Sequence, residues 1–243
     1  MSVLVLLVHL LFGGGELTAQ QILEQTDKET HGHKDFYARI KIKIGGGSPV
    51  DPTIEVLQKV VGGKQMRLIR FMEPPDFRGM GVLAEGRDIM YVYLPGFDKV
   101  RRIGAHARTQ SFMGSDFTYD DLGQSVLAPD YEASLVSTTA AEWVLDLRPR
   151  PGRDPSFARL RVTIVRKCMQ ISKLEYYDAA GVKVRTSLRD MEFSTAPHCP
   201  VRHISMVTHT RGEHRTEGDV LFYKLDGGLS DELFTVRSLA RGN

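Results

Sequence analysis

Phe36-Tyr37-Ala38-Arg39-Ile40-Lys41-Ile42-Lys43-Ile44 repeats with a period of two. Successive side chains of an extended strand point to opposite faces. Phe36, Ala38, Ile40, Ile42 and Ile44 therefore share one face, and Tyr37, Arg39, Lys41 and Lys43 the other, as in a half-buried strand with a solvated basic side. Gly45-Gly46-Gly47-Ser48-Pro49 closes the strand as a turn. Upstream, Thr18 to Thr30 reads as a helix with Ile22, Leu23 and Thr26 on one face, ended by Gly32. Downstream, strand-like runs follow at Gln65 to Phe71, Val82 to Glu85, Asp88 to Leu94, Lys99 to Ile103, Ala133 to Ser137 and Glu142 to Arg148. The second half adds Ala158 to Arg166, Gln170 to Tyr177, Val182 to Phe193, Arg202 to Thr210 and Thr216 to Tyr223.

Strands at this density with few helices predict a mainly β chain whose antiparallel sheet curls or closes. No linker interrupts the series, so one domain is expected over residues 20–243. In Ile89-Met90-Tyr91-Val92-Tyr93-Leu94 neither alternating set is charged. Both faces there must be covered, one of them by helices or, equally, as in the central strand of an ordinary core.

The 32 basic and 30 acidic residues nearly cancel, which argues against a nucleic-acid partner. A hydrophobic content of 42% suffices for a core without forming membrane-length runs beyond the N-terminus. Val3 to Phe12 is apolar apart from His9, and Gly13-Gly14-Gly15 and Leu17-Thr18-Ala19 follow. That pattern predicts a signal peptide over residues 1–19 and hence export, with a buried first strand or helix as the alternative. Cys168 and Cys199 could pair in an oxidising compartment, but spacing alone does not establish that they do.

Three motifs bear on possible chemistry. Gly79-Met80-Gly81-Val82-Leu83-Ala84 fits the G-x-G-x-x-A pattern of dinucleotide binders, but it follows Glu73-Pro74-Pro75-Asp76 rather than a strand. Its glycines instead suit a tight bend before a strand. His31, His33, His198, His203, His209 and His214 lack the spacing that sets two imidazoles on one helical face. Asp116, Asp120 and Asp121 do not follow the calcium-loop pattern. No cofactor, metal or catalytic residue is expected.

The most distinctive stretch runs from Tyr93-Leu94-Pro95 through Lys99-Val100-Arg101-Arg102-Ile103 to Ser111-Phe112-Met113-Gly114-Ser115-Asp116-Phe117. Thr118 suits the cap of a short helix, answered by Asp121 three residues on. Arg101 and Arg102 are the expected ion-pair partners of these aspartates. Phe112, Met113, Phe117 and Leu122 are the expected apolar side pressed onto the sheet.

This stretch resembles the signature of the outer membrane lipoprotein-sorting protein family, within the LolA-like superfamily. Phe71-Met72-Glu73-Pro74-Pro75 with Gly79, Glu175-Tyr176-Tyr177-Asp178 with Gly181, and Phe234-Thr235-Val236-Arg237-Ser238-Leu239 extend the likeness along almost the whole mature chain. The resemblance implies a strongly curved, unclosed antiparallel barrel with helices over its open side. It also implies a periplasmic address, an apolar cavity for the acyl chains of lipid or lipoprotein, and no covalent chemistry. A resistance-nodulation-division-type inner-membrane transporter and an outer-membrane acceptor are the implied partners. On that reading the cavity lining is expected from Ile40, Ile42, Ile44, Met66, Leu68, Met90, Val92, Leu94, Trp143 and Leu145, residues any core would also contain. A lipid- or protein-sensing module of the same fold, and a metal-assisted hydrolase built on the histidines, stand as alternatives.

Overall fold

The computed structural model describes residues 16–47, 51–86, 89–123, 126–193 and 199–241. Residues 1–15 of the expected leader, Ser48 and Pro49 of the expected turn, Asp88 and His198 lie outside them. The chain opens with helix α1 (Ala19–His31). Strands β1 (Asp35–Ile44), β2 (Thr53–Val61), β3 (Lys64–Glu73), β4 (Gly81–Glu85), β5 (Ile89–Leu94) and β6 (Lys99–Arg102) form the first half of the sheet. The short helix α2 (Tyr119–Gly123) follows. The second half comprises β7 (Tyr131–Thr138), β8 (Glu142–Pro149), β9 (Arg159–Val165), β10 (Gln170–Tyr177), β11 (Lys183–Met191), β12 (Val201–Thr208) and β13 (His214–Leu225). Helix α3 (Val236–Ala240) ends it.

All thirteen strands join one antiparallel sheet in the order β6-β5-β4-β3-β2-β1-β13-β12-β11-β10-β9-β8-β7. The first strand pairs with the last, so the two halves meet at the centre, and β6 and β7 are left as edges. The sheet is a strongly curved, unclosed barrel. Curvature has visible causes in the central pair. The β1–β13 register slips between Arg39 and Ile40, and a bulge of this kind bends and twists its strand. At Gly218 of β13, an added Cβ would stand 3.1 Å from side-chain carbons of both Ile40 and Ile42, so the backbone bends where those side chains crowd in.

The predicted helix and all twelve expected strand runs are present, with boundaries shifted by at most two residues. Thr18 caps α1 in a reciprocal box: its hydroxyl accepts from Gln21 N–H, and the Gln21 side chain accepts from Thr18 N–H. Ile22, Leu23 and Thr26 are buried and Gly32 ends the helix, as the periodicity indicates. The strand absent from the sequence reading is β2. Its sequence, Thr53-Ile54-Glu55-Val56-Leu57-Gln58-Lys59-Val60-Val61, shows no clean alternation because both of its faces are partly covered.

Three packing layers result. Ile22 and Leu23 of α1 pack with Leu145, Leu147, Leu160, Val162 and Ile164 on the concave side of the second half. The segment linking edge strands β6 and β7 fills the concave side of the first half, where Phe112 packs with Ile69, Phe71, Met90 and Val92. On the opposite, convex side, Phe234 and Leu239 of the C-terminal segment cover Leu57, Met66, Leu68, Leu83 and Tyr93. Strand β5 is thus covered on both faces, with helix α3 over one. Helices do not all lie over the open side: α3 sits behind the sheet. Cys168 and Cys199 form a disulfide with Cα atoms 5.9 Å apart, which settles the pairing that the sequence left open.

Candidate ligand cavity

Between the two concave-side fillings, the middle of the sheet is left uncovered by side chains. A cavity of about 380 Å³ opens there, bounded by α1 and by strands β1, β10, β11, β12 and β13. Its size falls in the range of small-molecule sites. Phe36, Ala38 and Ile40 come from β1, Leu174 and Tyr176 from β10, Ile204 and Met206 from β12, and Val220 and Tyr223 from β13. A smaller space of about 50 Å³ lies beside it, lined by Ile42, Ile44, Ile54, Phe71 and Phe112 among others. Phe117 lines both spaces and forms part of the partition.

Polar groups enter the same cavity. Arg67 of β3 donates from Nε and Nη2 to Gln58 Oε1 at 3.2 and 2.8 Å, and from Nη1 to the Leu122 carbonyl at 3.0 Å. Burial pushes its pKa down to about 10, and the nearby charge of Arg189 adds to the effect. Arg189 of β11 is likewise lowered by burial. Arg185, on the same strand and face, is different. It holds Asp121 with two bonds of 2.9 and 2.8 Å and stacks over Tyr176 at 4.5 Å. Burial opposes its charge, but the Asp121 carboxylate and the Tyr176 hydroxyl together outweigh burial and raise its pKa. The Tyr176 hydroxyl is pushed up to about 12 by burial, with Asp121 contributing.

Asp27 of α1 stands at the cavity wall. Its Oδ2 accepts the N–H groups of Leu127 and Ala128 at 2.9 and 2.7 Å. Burial outweighs these bonds, and the pKa rises to about 6. His31 also lines the cavity, with Nδ1 2.9 Å from Gln58 Nε2.

The distinctive motif lies beside the cavity rather than lining it, apart from Phe117. Met113 and Gly114 adopt left-handed backbone at φ 52° and 75°, which turns the chain sharply. Asp116 is then driven into the sheet, where its side chain is fully buried. Its N–H donates to Thr216 Oγ1 at 2.9 Å, while its Oδ2 accepts from Thr216 Oγ1 at 2.8 Å and lies 2.8 Å from His214 Nδ1. Ser115 Oγ donates to the Phe112 carbonyl at 2.6 Å. Thr118 and Asp121 exchange cap bonds of 2.7 and 3.3 Å, as their spacing suggests. The expected ion pairs with Arg101 and Arg102 are not those observed. Both arginines are exposed on edge strand β6, and the aspartates pair with Arg185, Arg211 and His214. The reason is topological: the motif crosses the barrel mouth and meets the far half of the sheet, not the strand before it.

Of the ten expected lining residues, Ile40 lines the large cavity, and Ile42 and Ile44 the small one. Met90, Val92 and Leu94 are packed under the motif, and Trp143 and Leu145 belong to the layer beneath α1. Met66 and Leu68 point to the convex side. In β3 the apolar residues on both faces are buried, so parity alone could not say which face is concave. Arg67 and Arg189 were missed because arginines alternating with apolar residues read as a solvated face. Nothing in the sequence of β11 marks that Arg185 is buried and Leu188 exposed. Cys199, the neighbour of His198, is engaged in the disulfide.

Solved structures share this architecture along nearly the whole chain. A domain from Vibrio parahaemolyticus, named as an outer membrane lipoprotein-sorting protein domain, superposes with a TM-score of 0.81 at 20% identity, over 92% of this chain and 98% of its own. A DUF1329 family protein from Desulfovibrio piger gives 0.81 at 22% identity, over 91% and 97%. A LolA superfamily protein from Nitrosomonas europaea gives 0.70 at 20% identity, over 91% and 99%. No curated protein matches the sequence. A family model carrying the description "Uncharacterized protein" matches residues 63–241, well over half of the chain. The protein therefore belongs to that family, and its fold is that of the LolA-like outer membrane lipoprotein-sorting proteins.

Proposed function

We propose that this protein is a periplasmic carrier that holds the acyl chains of lipid or lipoprotein in the cavity and moves them between membranes without covalent chemistry. The observation that carries this reading is the cavity itself, left where an unclosed sheet meets two separate fillings instead of one continuous core. An acyl chain in water costs about 0.8 kcal/mol per methylene, so a sixteen-carbon chain costs on the order of 12 kcal/mol. Carriage across an aqueous compartment therefore requires a container of this kind. The printed name of the Vibrio neighbour, which refers to lipoprotein sorting, points the same way. A disulfide suits an oxidising compartment and so supports export. A resistance-nodulation-division-type inner-membrane transporter and an outer-membrane acceptor as partners complete the proposal.

Native purification from the periplasm followed by lipid mass spectrometry is the test. Co-extracted lipid in near-stoichiometric amount, and binding of a fluorescent fatty acid after delipidation, are expected. A protein that carries no lipid and binds no fatty acid overturns the reading.

A further inference from the structure

The cavity holds more positive charge than its own acids neutralise. The guanidinium groups of Arg67 on β3 and Arg189 on β11 line it, while that of Arg185 is held by Asp121. Three carboxylates line it. Asp121 is taken by Arg185 and by Thr118. Asp27 is committed to two backbone N–H groups and resists ionisation. Glu29 lies on the exposed side of α1. Arg67 is oriented by two neutral acceptors, Gln58 and the Leu122 carbonyl, which use three of its five N–H bonds. Arg189 makes no hydrogen bond or ion pair among the described residues. Charges removed from water without a partner are costly, and the planar fork of arginine matches carboxylate and phosphate oxygens.

We propose that Arg67 and Arg189 form an anion site inside the cavity, which takes the carboxylate or phosphate head of the bound amphiphile while its chain lies against Phe36, Ile40, Ile204 and Val220. The proposal rests on the carrier reading and adds the head-group chemistry of the cargo. Both arginines line the same cavity, and the charge of Arg189 lowers the proton affinity of Arg67, so an anion between them relieves a repulsion as well as two desolvated charges.

The test compares hexadecanoic acid, its methyl ester and inorganic phosphate on the delipidated full chain. Wild type should bind the acid about tenfold or more tightly than the ester, the scale of a hydrogen bond to a charged group. Arg189→Gln should bring the acid to the ester's affinity and leave the ester unchanged, while Arg189→Lys keeps most of the preference. Arg189 holds no internal bond, so its variants should fold; Arg67→Gln, which loses contacts to Gln58 and Leu122, is checked by thermal unfolding before use. Binding of acid and ester with equal affinity, or a preference that survives in both glutamine variants, overturns the anion site and leaves the carrier reading standing. Arg189-dependent binding of inorganic phosphate without binding of either amphiphile upholds the anion site, assigns it to free anions and overturns the carrier reading. Binding of none of the three overturns both.

Discussion

Asp27 is a carboxylate that the fold resists charging. Its folded pKa of about 6 lies above the ordinary 3.8, so the native state binds the proton more tightly than the unfolded chain. The resulting stabilisation is fully present below 3.8 and is lost as pH rises through about 6. A shift of this size corresponds to about 3 kcal/mol. Denaturant unfolding across that window should show wild-type stability falling with pH, and Asp27→Asn, which keeps an acceptor for Leu127 and Ala128, should flatten the slope. An unchanged slope in the variant would remove Asp27 from the account. Asp116 is an anchor whose buried carboxylate ties the motif to Thr216 and His214. Asp116→Ala should cost about 2–4 kcal/mol, measured as a drop in unfolding free energy. Thr18 lies within the expected leader yet caps α1. Cleavage after Ala19 would remove a cap of about 1 kcal/mol, and N-terminal sequencing of the exported protein locates the cut.

At the scale of elements, the Gly79-Met80-Gly81 pattern has a packing explanation. Gly79 takes φ 85°, the left-handed bend that delivers the chain into β4. At Gly81, an added Cβ would stand 2.7 Å from Leu239 Cδ1, so the second glycine lets helix α3 approach the sheet. Leu239 is 1% exposed. Leu239→Ala should cost about 2–4 kcal/mol by transfer and cavity terms. Gly81→Ala should destabilise the wild type but do less harm in the Leu239→Ala background, because the clash partner is gone. Additive effects in that double-mutant cycle would show that the two residues do not meet. The same element scale explains where the sequence reading failed. Strand β11 buries Arg185 and exposes Leu188, the reverse of ordinary amphipathic logic, and no residue-by-residue pattern announces such an inversion.

For the molecule as a whole, the cavity and the core compete for the same concave face. Ile204→Trp should reduce the space over β12 and weaken fatty-acid binding by about tenfold, with the fold retained as judged by circular dichroism; unaltered binding would place the acyl chain elsewhere. The strand series, helix α1 with its cap, the double covering of β5 and the Thr118–Asp121 cap were legible in the chain, because each depends on side-chain period or on groups three or four residues apart. The likeness carried by the Ser111 to Phe117 stretch and its companions likewise pointed to an unclosed barrel. Tertiary structure alone decided which face of each strand is concave, that β1 pairs with β13, that α3 lies behind the sheet, and that Asp116 and Asp121 answer to Arg185, Arg211 and His214. These contacts join residues some sixty to nearly two hundred positions apart. Local sequence encodes the period of an element, whereas a cavity is defined by what closure of the whole sheet leaves unfilled.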